Sequence, residues 1–351
     1  MMTEINEVWP QNELERVSHC PVCGSPGREL LYTGLTDRVF FCAPGKWDLY
    51  RCLDCESAFL DPRPTQNSIG KAYSAYFTHE QDEVARNFLN ILNIIKIKVK
   101  NGYLNVVYGT NFSPAWVSAG RLLKMIPLPY KIATERILRF LPKVRGVLVD
   151  IGCGNGNIIC IAKELGWETW GIDPDPKAVE VAKSTGAKVF QSNLPDTGLP
   201  SDYFDVVILN HVIEHLHDPI ASLKEVYRIL KSGGMIWVAT PNLKSEGLRR
   251  FHSNWLHLDS PRHLVLFTPE SLKLSCIKAG FSDVSLKPCY IFSALWSYKE
   301  SLRISWGEEH KTSKFLLIFE SVIRAIKPTL ISMLFRSAGE EIILTAKKYP
   351  E

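Results

Sequence analysis

The sequence predicts an α/β fold, a doubly wound parallel sheet preceded by a small cysteine-rich module and carrying helical insertions. Three observations predict it. Between residues 143 and 289, short β-rich runs alternate with amphipathic helical stretches, the pattern of βαβ units. The runs VRGVLVDIG, FDVVILN and MIWVATPN are almost continuously apolar, as strands covered on both faces are. The first 65 residues hold two close cysteine pairs, Cys20/Cys23 and Cys52/Cys55, among prolines and glycines.

Taken in order, residues 1–65 form the cysteine-rich module and end in the stiff stretch Asp61-Pro62-Arg63-Pro64. Residues 66–142 read as a helical linker or cap. Apolar positions fall at helical spacing in NFLNILNIIKIKVK and in YKIATERILRFL, punctuated by Pro114, Pro127 and Pro129. Residues 143–289 supply five strands: VRGVLVDIG, WETWGIDP, AKVFQ, FDVVILN and MIWVATPN. Helices lie between them, such as DPKAVEVAKSTG, which stops at Gly186. Residues 290–338 are a second helical insertion, and 339–351 carry a last strand, EIILTAK, and a tail.

Composition excludes several classes. Of the 351 residues, 46% are hydrophobic and 22% charged, which rules out a disordered chain, a collagen and a disulfide-stapled mini-protein. At roughly 150 residues per domain the length suggests about two domains. The 41 basic and 37 acidic residues leave +4, too slight a surplus to imply nucleic acid, and none is expected as a partner. The longest apolar stretch, Phe315 to Phe335, is broken by Glu320, Arg324, Lys327 and Pro328, so no spanning helix is expected. The start, MMTEINEVWPQNE, lacks the basic and apolar regions of a secretory signal, and the expected location is cytoplasmic. Nine cysteines, four of them in close pairs, favour metal over disulfides in a reducing compartment.

The first β-rich run ends in Asp150-Ile151-Gly152-Cys153-Gly154-Asn155-Gly156-Asn157. Glycines there permit positive φ and a close approach of backbone to ligand, so the loop suits a nucleotide-like molecule. The spacing is G-x-G-x-G; Asn157 stands where the dinucleotide pattern G-x-G-x-x-G has its third glycine. The second run ends at Asp173, 173 − 152 = 21 residues after Gly152. That spacing suits a carboxylate accepting hydrogen bonds from two ribose hydroxyls.

The glycine loop, Asp173, Asp205 in FDVVILN, the following HVIEHLHDP and RILKSGGMIWVATPN together resemble class I S-adenosylmethionine-dependent methyltransferases. The nearest branch includes the ubiquinone-biosynthesis O-methyltransferases and the methyltransferase domain 23 group. The likeness covers about residues 143–289 and the last strand, and implies a Rossmann-like seven-stranded sheet. It implies that Gly152, Gly154 and Gly156 line the methionine part of S-adenosylmethionine, with Asp150 behind the loop. It further implies that Asp173 binds the ribose, that Ile172 and Pro174 flank the adenine, and that Asn210 and His211 face the reactive end. Gln191-Ser192-Asn193-Leu194 replaces the usual acidic residue near the adenine amine; the Asn193 side-chain oxygen can accept there instead.

Methyl transfer to a hydroxyl requires removal of a proton, which suits an imidazole. His263, in WLHLDSPRHLVLF, is the first candidate base and His215 the second; the alternative for His263 is a loop anchor and for His215 a structural histidine bonded inside the fold, and a nucleophilic acceptor needs no base. His211-Val-Ile-Glu214-His215 also matches the H-x-x-E-H zinc-protease pattern, a reading set aside because this branch carries a similar EH sequence after its fourth strand.

Cys20-Pro-Val-Cys23-Gly24 and Cys52-Leu-Asp-Cys55 read as two knuckles around one structural zinc. The second has Glu56 where the first has glycine, and Cys42 lies between them as an alternative ligand or core thiol. With the YRC…C…F.DPRPT stretch and Tyr73 and Tyr76, the module resembles the zinc-ribbon extension of some bacterial methyltransferases. The expected function is methyl transfer from S-adenosylmethionine to a small-molecule acceptor, a hydroxyl of a sugar, a lipid-linked precursor or another metabolite. C- or N-methylation and a non-catalytic scaffold are the alternatives. Lys96, Lys98 and Lys100 beside an apolar run leave peripheral membrane contact open. The oligomeric state is not readable from the sequence.

Overall fold

A computed structural model describes residues 8–74, 89–125, 140–184, 186–289, 293–307 and 314–349. Tyr76, Pro127, Pro129 and most of the YKIATERILRFL run lie outside the described residues.

The N-terminal strands are β1 (Leu14–Glu15), β2 (Arg28–Leu35), β3 (Trp47–Cys52), β4 (Ala58–Leu60) and β5 (Arg63–Pro64), and a short 3-10 helix follows at Ile69–Tyr73. Helices α1 (Leu89–Tyr108) and α2 (Val117–Lys124) come next. The central region runs β6 (Val147–Ile151), α3 (Asn157–Glu164), β7 (Glu168–Asp173), α4 (Pro176–Lys183), β8 (Lys188–Gln191) and β9 (Phe204–Asn210). It continues with α5 (Pro219–Ile229), β10 (Leu230–Pro241), α6 (Glu246–Phe251), β11 (Val265–Leu266), α7 (Pro269–Lys278) and β12 (Ser282–Lys287). The chain closes with α8 (Ser293–Trp306), α9 (Lys314–Leu334) and β13 (Glu341–Lys347). Seven strands make one sheet in the order β12-β13-β10-β9-β6-β7-β8.

Contacts divide the chain into two compact units. The described residues of 77–193 and 203–208 form one; those of 1–76, 194–202 and 209–351 form the other. In the first, β6, β7 and β8 pair in parallel. Leu148, Val149, Ile172, Ile159, Ala162 and Ala182 are buried there, which is what the near-continuous apolar runs require. Helix α4 starts as its sequence dictates: Pro176 opens it and the Asp175 carboxylate accepts from the Lys177 amide at 2.8 Å. Gly171 on β7 is a packing requirement, since a Cβ there would lie 2.6 Å from Ile159 Cδ1 and 3.0 Å from Cys153 Sγ. Asp205 on β9 accepts from the Val147 amide at 2.7 Å and pins the start of β6.

In the second unit, β13 runs antiparallel to both β10 and β12. The sequence reading anticipated β13 but not β12, because SDVSLK is polar and only half-buried. Strand β10 also begins five residues before the MIWVATPN run, at Leu230.

The N-terminal module builds a second sheet, β11-β4-β3-β2. Its edge strand β11 belongs to the segment after β10: Val265 pairs with Phe59 and Leu266 with Ala58. The joint is locked by Arg262, which is fully buried. Its Nη1 donates to Asp37 Oδ2 at 3.0 Å and to the Ala72 carbonyl at 2.9 Å, and its Nε donates to Asp259 at 3.1 Å. The Phe40 ring faces the guanidinium at 4.7 Å. Asp37 accepts in addition from the amides of Val39, Phe40, Cys42 and Ala43. Burial alone would raise this carboxyl; the hydrogen bonds and charge of Arg262 overcome burial and hold it well below the usual carboxylate range. Removing one partner of such a buried pair typically costs about 3–5 kcal/mol.

Candidate functional site

The glycine loop is built by backbone bonds. The amides of Gly152 and Cys153 donate to the Ile172 carbonyl at 2.8 and 3.1 Å, so the end of β6 folds over the end of β7. Gly152, Gly154 and Gly156 have φ of 70°, 50° and 78°, left-handed values that favour glycine. Around Gly154 nothing lies within 4 Å of where a Cβ would sit, so the loop presents bare backbone to open space. Helix α3 starts directly after Gly156 and adds its N-terminal amides.

Asp173 braces this loop. One carboxylate oxygen accepts from the Gly154 amide and the other from the Asp175 amide, both at 2.9 Å. A carboxylate oxygen that takes one amide keeps acceptor capacity for a second donor. Pro174 and Asn193 are exposed beside this strand end, and Ile172 is fully buried. Asp150 is also buried. Burial, and then the negative charge of Asp173, push its carboxyl up to about 8.

The histidines gather in the other unit. His211 follows β9 in a left-handed conformation, φ 56°. Its Nδ1 lies 3.1 Å from Glu214 Oε1 and its Nε2 3.3 Å from Glu341 Oε1. Burial would lower its pKa; the two carboxylates outweigh burial and raise it to about 9. His211 is thus an imidazolium with both nitrogens donating, and it cannot take a further proton. Glu214 is completely buried and also accepts from Thr240 Oγ1 at 2.9 Å.

His215 and His263 stand edge to face, their ring centroids 4.8 Å apart. His215 Nδ1 lies 3.0 Å from both the Arg262 carbonyl and Tyr73 Oη. The carbonyl can only accept, which places the ring proton on Nδ1 and leaves Nε2 with its lone pair. Burial, and then the neighbouring His263, lower the His215 pKa to about 4, so the ring is neutral. His263 Nδ1 is held by the His257 carbonyl at 2.7 Å. Arg262 and His263 are both buried, and His215 is the more accessible ring. Ligand atoms of Glu214, His215 and His263 lie within 4.8 Å of one another; His211, the first residue of the H-x-x-E-H pattern, is outside that group. Glu341 was missed by sequence reading, its only signal being the acidic pair Glu340-Glu341 at the start of the last strand.

The four paired cysteines converge. Cys20 and Cys55 Sγ are 3.5 Å apart, Cys23 and Cys52 Sγ 3.4 Å, and all four lie within 4.8 Å of one another. Four thiolates around a tetrahedral zinc, with Zn–S of about 2.3 Å, stand roughly 3.8 Å apart, so this donor set fits that ion. The two knuckles share a turn: the Gly24 amide donates to the Cys20 carbonyl at φ 85°, and the Glu56 amide donates to the Cys52 carbonyl at φ 59°. Glu56 therefore occupies a position that favours glycine, with its side chain paired to Lys244 at 2.7 Å. Cys42 is outside the group and donates to the Ala72 carbonyl at 3.4 Å.

Asp150 generates a pH prediction. An unfolded aspartate titrates near 4. The folded chain therefore keeps a proton that the unfolded chain loses between about pH 4 and the folded value of about 8, and this group makes stability fall as pH rises through that window. In urea unfolding of the unliganded protein, Asp150→Asn is expected to gain on the parent chain between about pH 5 and about pH 8.5; parallel curves would contradict the assignment.

A family model described as a methyltransferase domain matches residues 128–286. The ubiquinone biosynthesis O-methyltransferase of Cereibacter sphaeroides is 31% identical over 168 residues, covering 44% of this chain and 68% of that protein. Its counterpart in Brucella anthropi is 31% identical over 153 residues, covering 38% and 58%. A solved S-adenosylmethionine-dependent methyltransferase from Archaeoglobus fulgidus overlays 62% of this chain and 93% of its own, with a TM-score of 0.43 and 22% identity. With the glycine loop, the acid that follows it and two thirds of a curated relative matched at this identity, the chain belongs to the class I S-adenosylmethionine-dependent methyltransferases.

Proposed function

We propose that this methyltransferase acts on a hydroxyl group of a small-molecule acceptor, with His215 taking the acceptor's proton. S-adenosylmethionine supplies an electrophilic methyl group on its sulfonium sulfur; the residues of this chain hold it, orient it and remove a proton from the acceptor. Gly152, Gly154, Gly156 and Asp173 form the holding site, with Asp150 behind the loop and Pro174 and Asn193 at the adenine. Asn210 Oδ1 is buried without a hydrogen-bond partner among the described residues, and suits a donor brought by the ligand. His211 beside it holds a positive charge and serves as a positioning residue rather than a base.

The observation that carries the hydroxyl reading is the neutral His215 ring. Its Nδ1 proton is fixed by the Arg262 carbonyl, so Nε2 can accept. A thiolate, or an amine already free of its proton, needs no such group. That the Cereibacter sphaeroides relative is an O-methyltransferase supports the same reading. His263, ranked first from the sequence alone, is assigned to orient His215, because it is buried and held by the His257 carbonyl.

We further propose that Cys20, Cys23, Cys52 and Cys55 hold a structural zinc. Four protein ligands close the coordination sphere, so the ion stabilises the module and takes no part in methyl transfer. A cytoplasmic, reducing location, where these thiols stay available to metal, belongs to this reading.

Calorimetry with S-adenosylhomocysteine tests the holding site. The parent chain is expected to bind it and Asp173→Ala to bind at least about ten-fold more weakly; absence of binding by the parent chain would sink the assignment. For the base, methyl transfer from a labelled donor into a cell extract identifies the acceptor. His215→Ala is then expected to lower kcat by about 10²–10⁴-fold with S-adenosylhomocysteine affinity unchanged. A near-normal rate points to an acceptor that needs no base. Metal analysis of protein purified without chelator is expected to give about one zinc per chain, lost in Cys52→Ser. Less than about half an equivalent would reject the zinc centre.

A further inference from the structure

We propose that the α1–α2 hairpin docks this protein on an anionic phospholipid surface. The hairpin satisfies its own packing and polar groups. Its helices meet backbone to backbone: a Cβ on Gly102 would lie 2.1 Å from the Trp116 carbonyl oxygen, and one on Gly120 2.2 Å from that of Gly102. The Trp116 amide donates to the Lys98 carbonyl at 2.7 Å. Asn101 donates to the Pro114 carbonyl and Asn105 to that of Phe112, both at 2.9 Å. Asn105 Oδ1 accepts from the Phe112 amide and Thr110 Oγ1. Tyr103 and Leu104 are buried.

What this leaves outside is apolar and positively charged. Ile94, Ile95, Ile97, Trp116, Leu122 and Met125 are exposed, from 41% for Ile95 to 84% for Met125. Residues 89–125 contain Lys96, Lys98, Lys100, Arg121 and Lys124 and no acidic residue, a local charge of +5. The whole chain carries +4, so everything else sums to 4 − 5 = −1. The hairpin's +5 is thus enough by itself to account for the chain's net positive charge, and the same hairpin exposes large aliphatic side chains. Partial burial and the charge of Lys96, one turn away, hold the Lys100 ammonium below its usual range, a repulsion that an anionic surface relieves.

Those two properties select the occupant. A polyanion such as nucleic acid neutralises lysines but offers nothing to exposed isoleucines, leucine and methionine. The boundary between acidic headgroups and acyl chains accepts both. No helix among the described residues is long and apolar enough to cross a membrane, so the contact is interfacial. The proposal does not depend on the acceptor or on which residue is the base.

Flotation of the full chain with lipid vesicles tests it. The protein is expected to float with phosphatidylcholine vesicles that contain phosphatidylglycerol, not with phosphatidylcholine alone, and to be released as salt is raised. The triple variant Lys96→Gln, Lys98→Gln, Lys124→Gln is expected to bind roughly a hundred-fold more weakly, about five-fold per lysine. A second variant, Ile97→Ser with Leu122→Ser and Met125→Ser, is expected to lose flotation as well. Both should keep their helical circular dichroism and their affinity for S-adenosylhomocysteine, which separates this test from that of the cofactor site. Failure of the parent chain to float, equal flotation on both vesicle types, or a variant that floats like the parent would overturn the proposal. So would self-association that both variants abolish in the absence of any vesicle binding.

Discussion

The guanidinium of Arg262 is the constraint on which the histidine cluster depends. Fully buried, it is tied to Asp37 from the N-terminal module, to Asp259 of its own loop and to the Ala72 carbonyl. Two carboxylates neutralise one cation, and the backbone amides on Asp37 take up the remaining charge. A charge buried without those partners would be prohibitive, so the loop can close only when the module is folded. The same residue's carbonyl fixes the proton of His215. The cysteine module thus reaches the histidine cluster through structure: it seats the arginine whose carbonyl meets the half-buried His215 imidazole.

Electrostatics divide the roles among side chains that look alike in the sequence. Four histidines gather around Glu214, and the one with carboxylates at both nitrogens, His211, is held as a cation. His215 and His257 lack such partners, and burial lowers both, His257 to about 3. Among the acids, Asp173 is braced by two amides and suited to ribose, whereas Asp150 is pushed toward its neutral form by burial and by Asp173 itself. Type and spacing decide that these groups are present; the partners each one meets decide what it does.

Much of the architecture could be read directly. The runs ending in Asp150-Ile151, Asp173 and Asn210 are strands with the expected ends, and EIILTAK is β13 to the residue. The helix opened by Asp175-Pro176 is where its cap and proline place it. Strand β12 escaped because an edge strand that is half-exposed carries no apolar pattern. Gly171 escaped because its importance is the clash it avoids with Ile159 and Cys153, residues distant in sequence. The burial of Arg262 escaped because arginine is ordinarily a surface residue, and nothing local announces that Asp37, 225 residues away, is its partner.

By itself the sequence determined the sheet's strands, the glycine turn with its acid 21 residues on, and the pairing of cysteines into knuckles, because each is set by neighbours along the chain: periodicity, turn stereochemistry and short spacing. Only the tertiary structure decided which histidine is a cation and which a neutral acceptor. It also decided that Cys42 stands apart from the four thiols, and that the loop after β10 completes the sheet of the N-terminal module. Those outcomes rest on desolvation and on partners brought together from remote parts of the chain, and no local pattern encodes either.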